Sequence, residues 1–286
     1  MKSIKYFIQF LIIFIFFLLF KILGLKSASY LSGKIISYVG PFFRSKNLIK
    51  SNILKALPNA DINDVKMISK MMWHNYGRIL AEYMFIKEFR MSEHEKNIEV
   101  IGQNKLDIIR NNNEPVIFIS GHFNNFELMA MHLEKSGINL AAVYRPLNNR
   151  FLNFIMERIR KKYICKNQIK KGISGTKQLL TFFKKKTSIA LMIDQRVSEG
   201  VRSNFFHHEA FTTTIPAQFV KKFKCKIVPI YIERTHGVNF RLTIHDPLVY
   251  SNDESVESIT SSLNLLMEKM ILKNPEQWIW SHNRWK

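Results

Sequence analysis

A chain of 286 residues, 47% of them hydrophobic and 13% aromatic, can bury a sizeable core, which excludes a disordered polyelectrolyte. Its formal net charge of +21 points to an anionic partner, whether nucleic acid, lipid headgroups or an acidic carrier protein. The only two cysteines, Cys165 and Cys225, lie far apart without metal-ligand spacing, which excludes a disulfide framework and a zinc cluster.

The first element is an apolar run, residues 6–25, in which only Gln9 and Lys21 are strongly polar. About 20 helical residues rise about 30 Å, the thickness of a bilayer's hydrocarbon core. Three readings compete: a spanning anchor, a helix dipped into one leaflet, and a cleaved signal peptide with S-A-S at 27–29 as its cleavage site. The basic body and the absence of a cysteine framework favour a retained helix over residues 1–26, spanning or dipped, above a cleaved signal. Lys21 and Lys26 can snorkel to a phosphate layer, and basic flanks keep the body on the cytoplasmic face.

Residues 27–286 read as a single α/β domain whose first part, 27–100, is a helical layer. Helical spacing of apolar residues is clearest over 67–85. After Pro115 the pattern changes to short apolar runs, predicting strands at 115–120, 139–144, 188–194 and 226–234, then a more alternating one at 239–245. Helices are expected between them at about 124–136, 149–163, 174–186 and 214–224, with another at 254–273. Unbroken apolar strands separated by helices imply a mostly parallel sheet covered on both faces. The last two strands, joined across T-H-G-V, form a hairpin and make the sheet mixed. Basic clusters at 158–162, 184–186 and 221–226 carry much of the charge; taken singly, each is a solvated face.

Ligand crevices of open α/β sheets lie at the carboxyl ends of strands. Three such ends carry polar groups here: H-F-N-N-F-E at 122–127, Y-R-P at 144–146 and D-Q-R at 194–196. His122 and Glu127 cannot share one helix face, since five helical residues turn about 500°. If the helix starts near Asn124, the imidazole hangs over its first turn and Glu127 can reach back to a ring nitrogen. A carboxylate that fixes the imidazole's tautomer makes histidine an effective base toward a hydroxyl. The motif brings no serine or cysteine nucleophile, so a substrate hydroxyl would attack directly. The H-x4-E spacing alone is weak and equally fits a loop histidine beside a helix-starting glutamate.

Taken together the blocks are more specific. G-H-F-N-N-F-E (121–127) resembles the H-x4-D/E block of the glycerolipid acyltransferase superfamily, and most closely its form in the late acyltransferases of lipid A biosynthesis, the lauroyl and myristoyl transferases. In order along the chain, H-N-Y-G-R-I-L-A-E (74–82), V-Y-R-P-L-N-N (143–149), M-I-D-Q-R-V-S-E-G-V (192–201) and P-E-Q-W-I-W-S-H-N-R-W-K (275–286) are similar to further blocks of that family, so the resemblance covers essentially the whole chain. It implies a glycerolipid acyltransferase-like fold in the bacterial inner membrane. It also implies transfer of a fatty acyl chain from acyl carrier protein to a hydroxyl of a lipid A precursor of the Kdo2-lipid IVA type. No cofactor, no metal and no nucleic acid partner is implied.

Carried over by position, His122 is the base and Glu127 its partner. Arg145 binds substrate phosphate or stabilises charge near the thioester, as a forked guanidinium donor suits. Asp194, Gln195 and Arg196 shape the acceptor side, and Asn125 is a further substrate-binding position. The chain departs from the family where it has Asn124 and Phe126 in place of Gly and Trp. It departs again at S-N-F-F-H (203–207), which leaves loop contacts to the substrate open. His207, His208 and Glu209 read as surface loop, not metal ligands. Trp278, Trp280 and Trp285 read as packing, and Arg78 and Glu82 as a helical i,i+4 pair.

Two other readings stay open. One is an acyltransferase for a different lysophospholipid or glycolipid acceptor, although D-Q-R-V-S-E-G (194–200) stands where glycerol-phosphate acyltransferases carry an E-G-T-R-like block. The other is a membrane-tethered basic binding protein, which accounts for the charge and the anchor but not for the strand-end clusters.

Overall fold

The computed structural model describes residues 2–286. Helix α1 (Lys2–Val39) is long and apolar enough to cross a membrane by length and composition, and it kinks at Gly24. It is followed by α2 (Lys46–Ala56), α3 (Ile62–Glu82) and α4 (Ile86–Met91). Asp61 starts α3 with a capping box: its side chain accepts from the N–H of Asp64, whose side chain accepts from the N–H of Asp61. The second half of α1 packs along α3. The approach is close at Gly77, where a Cβ would lie 2.2 Å from the carbonyl oxygen of Ser32. Only glycine fits there, and Ser32 Oγ donates to the Gly77 carbonyl at 2.6 Å.

The remaining elements alternate. They run β1 (Ile98–Ile101), α5 (Gln103–Asn112), β2 (Ile117–Ser120), α6 (Glu127–Lys135), β3 (Leu140–Tyr144) and α7 (Arg150–Ile159), which a wider turn extends over Arg160–Ile164. Next come β4 (Asn167–Lys170), α8 (Ile173–Lys184), β5 (Ser188–Met192), β6 (Val201–Phe205), β7 (His208–Thr212), α9 (Ile215–Phe223), β8 (Ile227–His236), β9 (Asn239–Ile244) and α10 (Val256–Lys273). Among the described residues the main sheet has seven strands in the order β1-β9-β8-β2-β5-β3-β4. Neighbours pair in parallel except β8 and β9, which form the expected hairpin. β2 is buried at every residue, as a central strand with both faces covered must be.

Elements not anticipated are β1, α5, β4 and the β6–β7 hairpin. β1 and β4 are edge strands, and β4 (N-Q-I-K) buries only Ile169, too little apolar pattern to announce a strand. The β6–β7 turn is made by Phe206 and His207 at φ 52° and 60°, where the Asn-Gly signal of such turns is missing. Phe206 compensates by donating its N–H to Glu268 Oε1 at 2.8 Å on α10. His208 and Glu209 therefore belong to a strand, not to a loop. No cluster of metal-ligating side chains occurs among the described residues.

The candidate active site

β2 and β5 are parallel neighbours in the register Ser120↔Met192, so their exits bring the next residues of each strand together. Asp194 is fully buried and receives three donors. Oδ1 takes His122 Nδ1 at 2.8 Å, and Oδ2 takes the His122 main-chain N–H at 2.8 Å and Trp278 Nε1 at 2.8 Å. Gly121 makes room for this contact, since a Cβ there would stand 3.3 Å from Asp194 Cγ and 2.9 Å from the Phe123 ring. Burial alone would raise the Asp194 pKa. The positive charge available on His122, that residue's ring and main-chain donors and the Trp278 indole outweigh it and hold the pKa at about 2. An ionised carboxylate on Nδ1 fixes the neutral ring's proton there and leaves Nε2 as the lone-pair nitrogen.

Nε2 of His122 lies 3.4 Å from the side-chain nitrogen of Gln195, and the Phe126 ring packs edge-on against the imidazole at 4.9 Å. All three side chains line a cleft of about 880 Å³. Its apolar wall includes Trp73, Leu80, Ala130, Val143 and Ile279; Arg44, Arg145, Arg160 and Lys171 supply positive charge. Arg145 is exposed in this cleft.

Glu127, the first residue of α6, does not reach back to the imidazole. Its carboxylate is held by Arg160, with Nε at 2.9 Å and a second, shorter contact from Nη2. The reason is electrostatic: the turn after α7 delivers a permanent cation to the α6 N-terminus, while Asp194 has already taken Nδ1. Arg160 consequently leaves the solvated basic cluster to which its sequence neighbours belong. Asn125 is also not on the cleft. It is fully buried, and its Nδ2 donates to Glu82 Oε2 at 3.1 Å. The guanidinium of Arg196 turns to the Lys286 main-chain oxygen at 2.9 Å, and its main-chain N–H donates to His282 Nε2 at 3.1 Å.

That last contact makes His282 a site residue the sequence did not single out. Because Nε2 accepts, the neutral ring carries its proton on Nδ1. Burial lowers its pKa to about 4; Asp194 opposes this, and His122, Arg284 and Lys171 add to it. The ring lines the same cleft as His122. Trp278 does more than the packing its sequence context suggests, and Gln277 is a further residue the sequence did not single out. Gln277 Oε1 accepts from Asn124 Nδ2 at 2.7 Å and from the Arg234 N–H at 2.8 Å, and its carbonyl accepts from the Asn124 N–H at 3.0 Å. This brace holds Asn124 at its positive φ of 42° and so shapes the loop that carries His122. Behind it Glu82 forms a fork with Arg234, at 2.7 and 3.0 Å, and accepts from Ser29 Oγ at 2.7 Å. Its i,i+4 neighbour Arg78 stays 3.9 Å away. In both cases the signal was the C-terminal block, whose polar residues sit among tryptophans.

A family model described as bacterial lipid A biosynthesis acyltransferase matches residues 1–286. The chain is 23% identical over 265 residues to the lipid A biosynthesis palmitoleoyltransferase of Escherichia coli (strain K12), covering 90% of this chain and 84% of that protein. It shows the same identity and coverage with a lipid A biosynthesis acyltransferase of Shigella flexneri. To the lipid A biosynthesis lauroyltransferase of Escherichia coli (strain K12) it is 24% identical over 196 residues, 66% of this chain and 61% of the other. The family match over the whole chain, together with the cleft at the carboxyl ends of the sheet, identifies the chain as a member of the bacterial lipid A biosynthesis acyltransferase family.

Proposed function

We propose that this acyltransferase moves a fatty acyl chain from acyl carrier protein to a hydroxyl of a lipid A precursor of the Kdo2-lipid IVA type, with His122 as general base and Asp194 as its orienting carboxylate. The observation that carries the reading is the His122 Nδ1–Asp194 contact at 2.8 Å beside a largely apolar cleft of about 880 Å³. The acceptor hydroxyl gives its proton to Nε2 as its oxygen attacks the thioester carbonyl carbon. The new C–O ester bond forms, the C–S bond breaks, and the imidazolium returns the proton to the departing thiolate. Negative charge that develops on the carbonyl oxygen needs donors that are already oriented. The Gln195 amide beside Nε2 and the Nδ1–H of His282 are the cleft groups suited to this.

Glu127 acts through Arg160 in this account: it holds the guanidinium against the cleft wall, where the cation can face substrate phosphate or the thioester. Arg145, Arg44 and Lys171 offer further charge to a phosphorylated acceptor. The carrier protein is acidic and cytoplasmic, so the body faces the cytoplasm, in keeping with the lysines that flank the apolar run.

The test is mass spectrometry of lipid A from cells lacking this protein and then regaining it. Regain of mass equal to one acyl chain supports the reading. An unchanged lipid A profile together with a changed phospholipid profile favours the other acceptor class.

A further inference from the structure

The apolar half of α1 is not a helix projecting free of the body. Its stripe of Tyr6, Phe10, Ile13, Phe17 and Phe20 faces protein, and the last two are buried. Contacts hold both ends. Near the start, Asn149 Nδ2 donates to the Tyr6 carbonyl at 2.8 Å and Arg150 Nη2 to Ser3 Oγ at 3.0 Å. The rings of Phe7 and Phe10 lie 5.4 and 5.8 Å from that of Phe151 on α7. Near the end, Lys21 Nζ pairs with Glu88 at 2.6 Å and sits 4.4 Å from the centre of the Phe85 ring.

A helix advances about 27 Å from Ser3 to Lys21, close to the full thickness of a hydrocarbon layer. If this segment crossed the bilayer, α7 would have to meet it at one face and α4 at the other. The polar body that joins those helices would then lie within hydrocarbon, with its charged groups desolvated.

The opposite stripe, Ile4, Ile8, Ile12, Ile15, Leu19 and Ile22, is exposed and keeps the spacing of one helix face. Beyond the kink at Gly24 an exposed stripe continues through Leu31, Ile35 and Tyr38 to Phe42 and Phe43, which are 84% and 72% exposed. Arg44 and Lys46 follow at once. An apolar strip of this length bordered by cations fits an anionic lipid surface.

We propose that the chain is monotopic: α1 lies along one face of an anionic bilayer, with its isoleucine stripe, Phe42 and Phe43 in the acyl layer, and does not cross it. Phe43 and Arg44 line one side of the catalytic cleft, and the exposed Leu147 lines another part of it. A body seated this way opens its cleft at the headgroup layer, where a lipid substrate resides. The proposal stands apart from the chemistry assigned to His122, since neither of its tests reads turnover.

The first test uses the full-length chain with Cys165→Ala and Cys225→Ser and a single introduced cysteine, Ser3→Cys, Lys5→Cys or, on the body, Asn252→Cys. Each is exposed to a membrane-impermeant maleimide in sealed inner-membrane vesicles of either orientation. The expected result is that position 3 or 5 labels from the same face as position 252. Labelling from the opposite face overturns the proposal. The second test compares binding of the wild-type chain and Phe42→Glu to mixed phosphatidylglycerol and phosphatidylcholine vesicles. Binding at least about tenfold weaker is expected on loss of one inserted aromatic ring. Unchanged binding would also overturn the proposal, because Phe42 is exposed and its substitution leaves the fold intact.

Discussion

At Asp194 one carboxylate meets three N–H donors out of contact with water, and each donor has a separate consequence. The ring donor selects the His122 tautomer, the main-chain donor ties the loop to β5, and the Trp278 indole holds the second oxygen in place. Asp194→Asn keeps the size but offers an amide that can favour the wrong tautomer. It is expected to lower kcat by about 10²- to 10⁴-fold with little change in KM, by analogy with removal of the charge from other histidine–carboxylate pairs. Steady-state transfer assays check this, and a KM effect without a kcat effect would assign Asp194 to binding. His122 could be found from the sequence because it follows an apolar strand at once. Its partner could not: Glu127 is five residues away along the chain, whereas Asp194 becomes adjacent only through the β2–β5 pairing. Spacing within a motif carries no information about which strands are neighbours.

Among the elements, the helical layer is tied to the sheet by the Glu82–Arg234 fork, which joins α3 to β8 and also receives Ser29 of α1 and Asn125 of the loop that carries His122. Burial would raise the Glu82 pKa, but the Arg234 charge and the hydrogen bonds outweigh it and lower it. Glu82→Gln leaves a buried guanidinium without its counter-charge and is expected to cost about 3–5 kcal/mol of unfolding free energy. Urea unfolding measures the loss, and Glu82→Gln combined with Arg234→Met should recover part of it. Most helices were legible from their apolar periodicity and the central strands from unbroken apolar runs, whereas α5, short and largely polar, was not. The fork was not, because nothing local in R-I-L-A-E distinguishes a partner four residues away from one on a strand far along the chain. The edge strands and the Phe206–His207 turn escaped for a related reason: they are stabilised by their neighbours and not by their own pattern.

For the molecule as a whole, the acid side of the stability curve follows from its histidines. Burial lowers the pKa of His74, His132 and His245, and takes that of His282 to about 4. Between pH 4 and the ordinary value of 6.5 the unfolded chain binds protons that a folded His282 refuses, so stability rises with pH there and falls on acidification. Asp194 acts lower, losing its contribution as pH drops from its ordinary 3.8 toward about 2. Unfolding free energy measured from pH 7 to 4 should therefore decline, and His282→Gln should flatten part of that decline. A parallel decline in the variant would mean that His282 does not contribute to it. The net charge of +21 was legible from composition and fits the anionic partners proposed above, yet it did not reveal that Arg160 is held inside the cleft wall.

Whether His122 is the base for acyl transfer is decided by assaying transfer from acyl carrier protein to a Kdo2-lipid IVA-type acceptor in membranes containing equal amounts of wild-type protein or His122→Ala. His122→Ala is expected to lose at least about 10²-fold in kcat while remaining folded and membrane-bound. Turnover at the wild-type rate in that variant would contradict it.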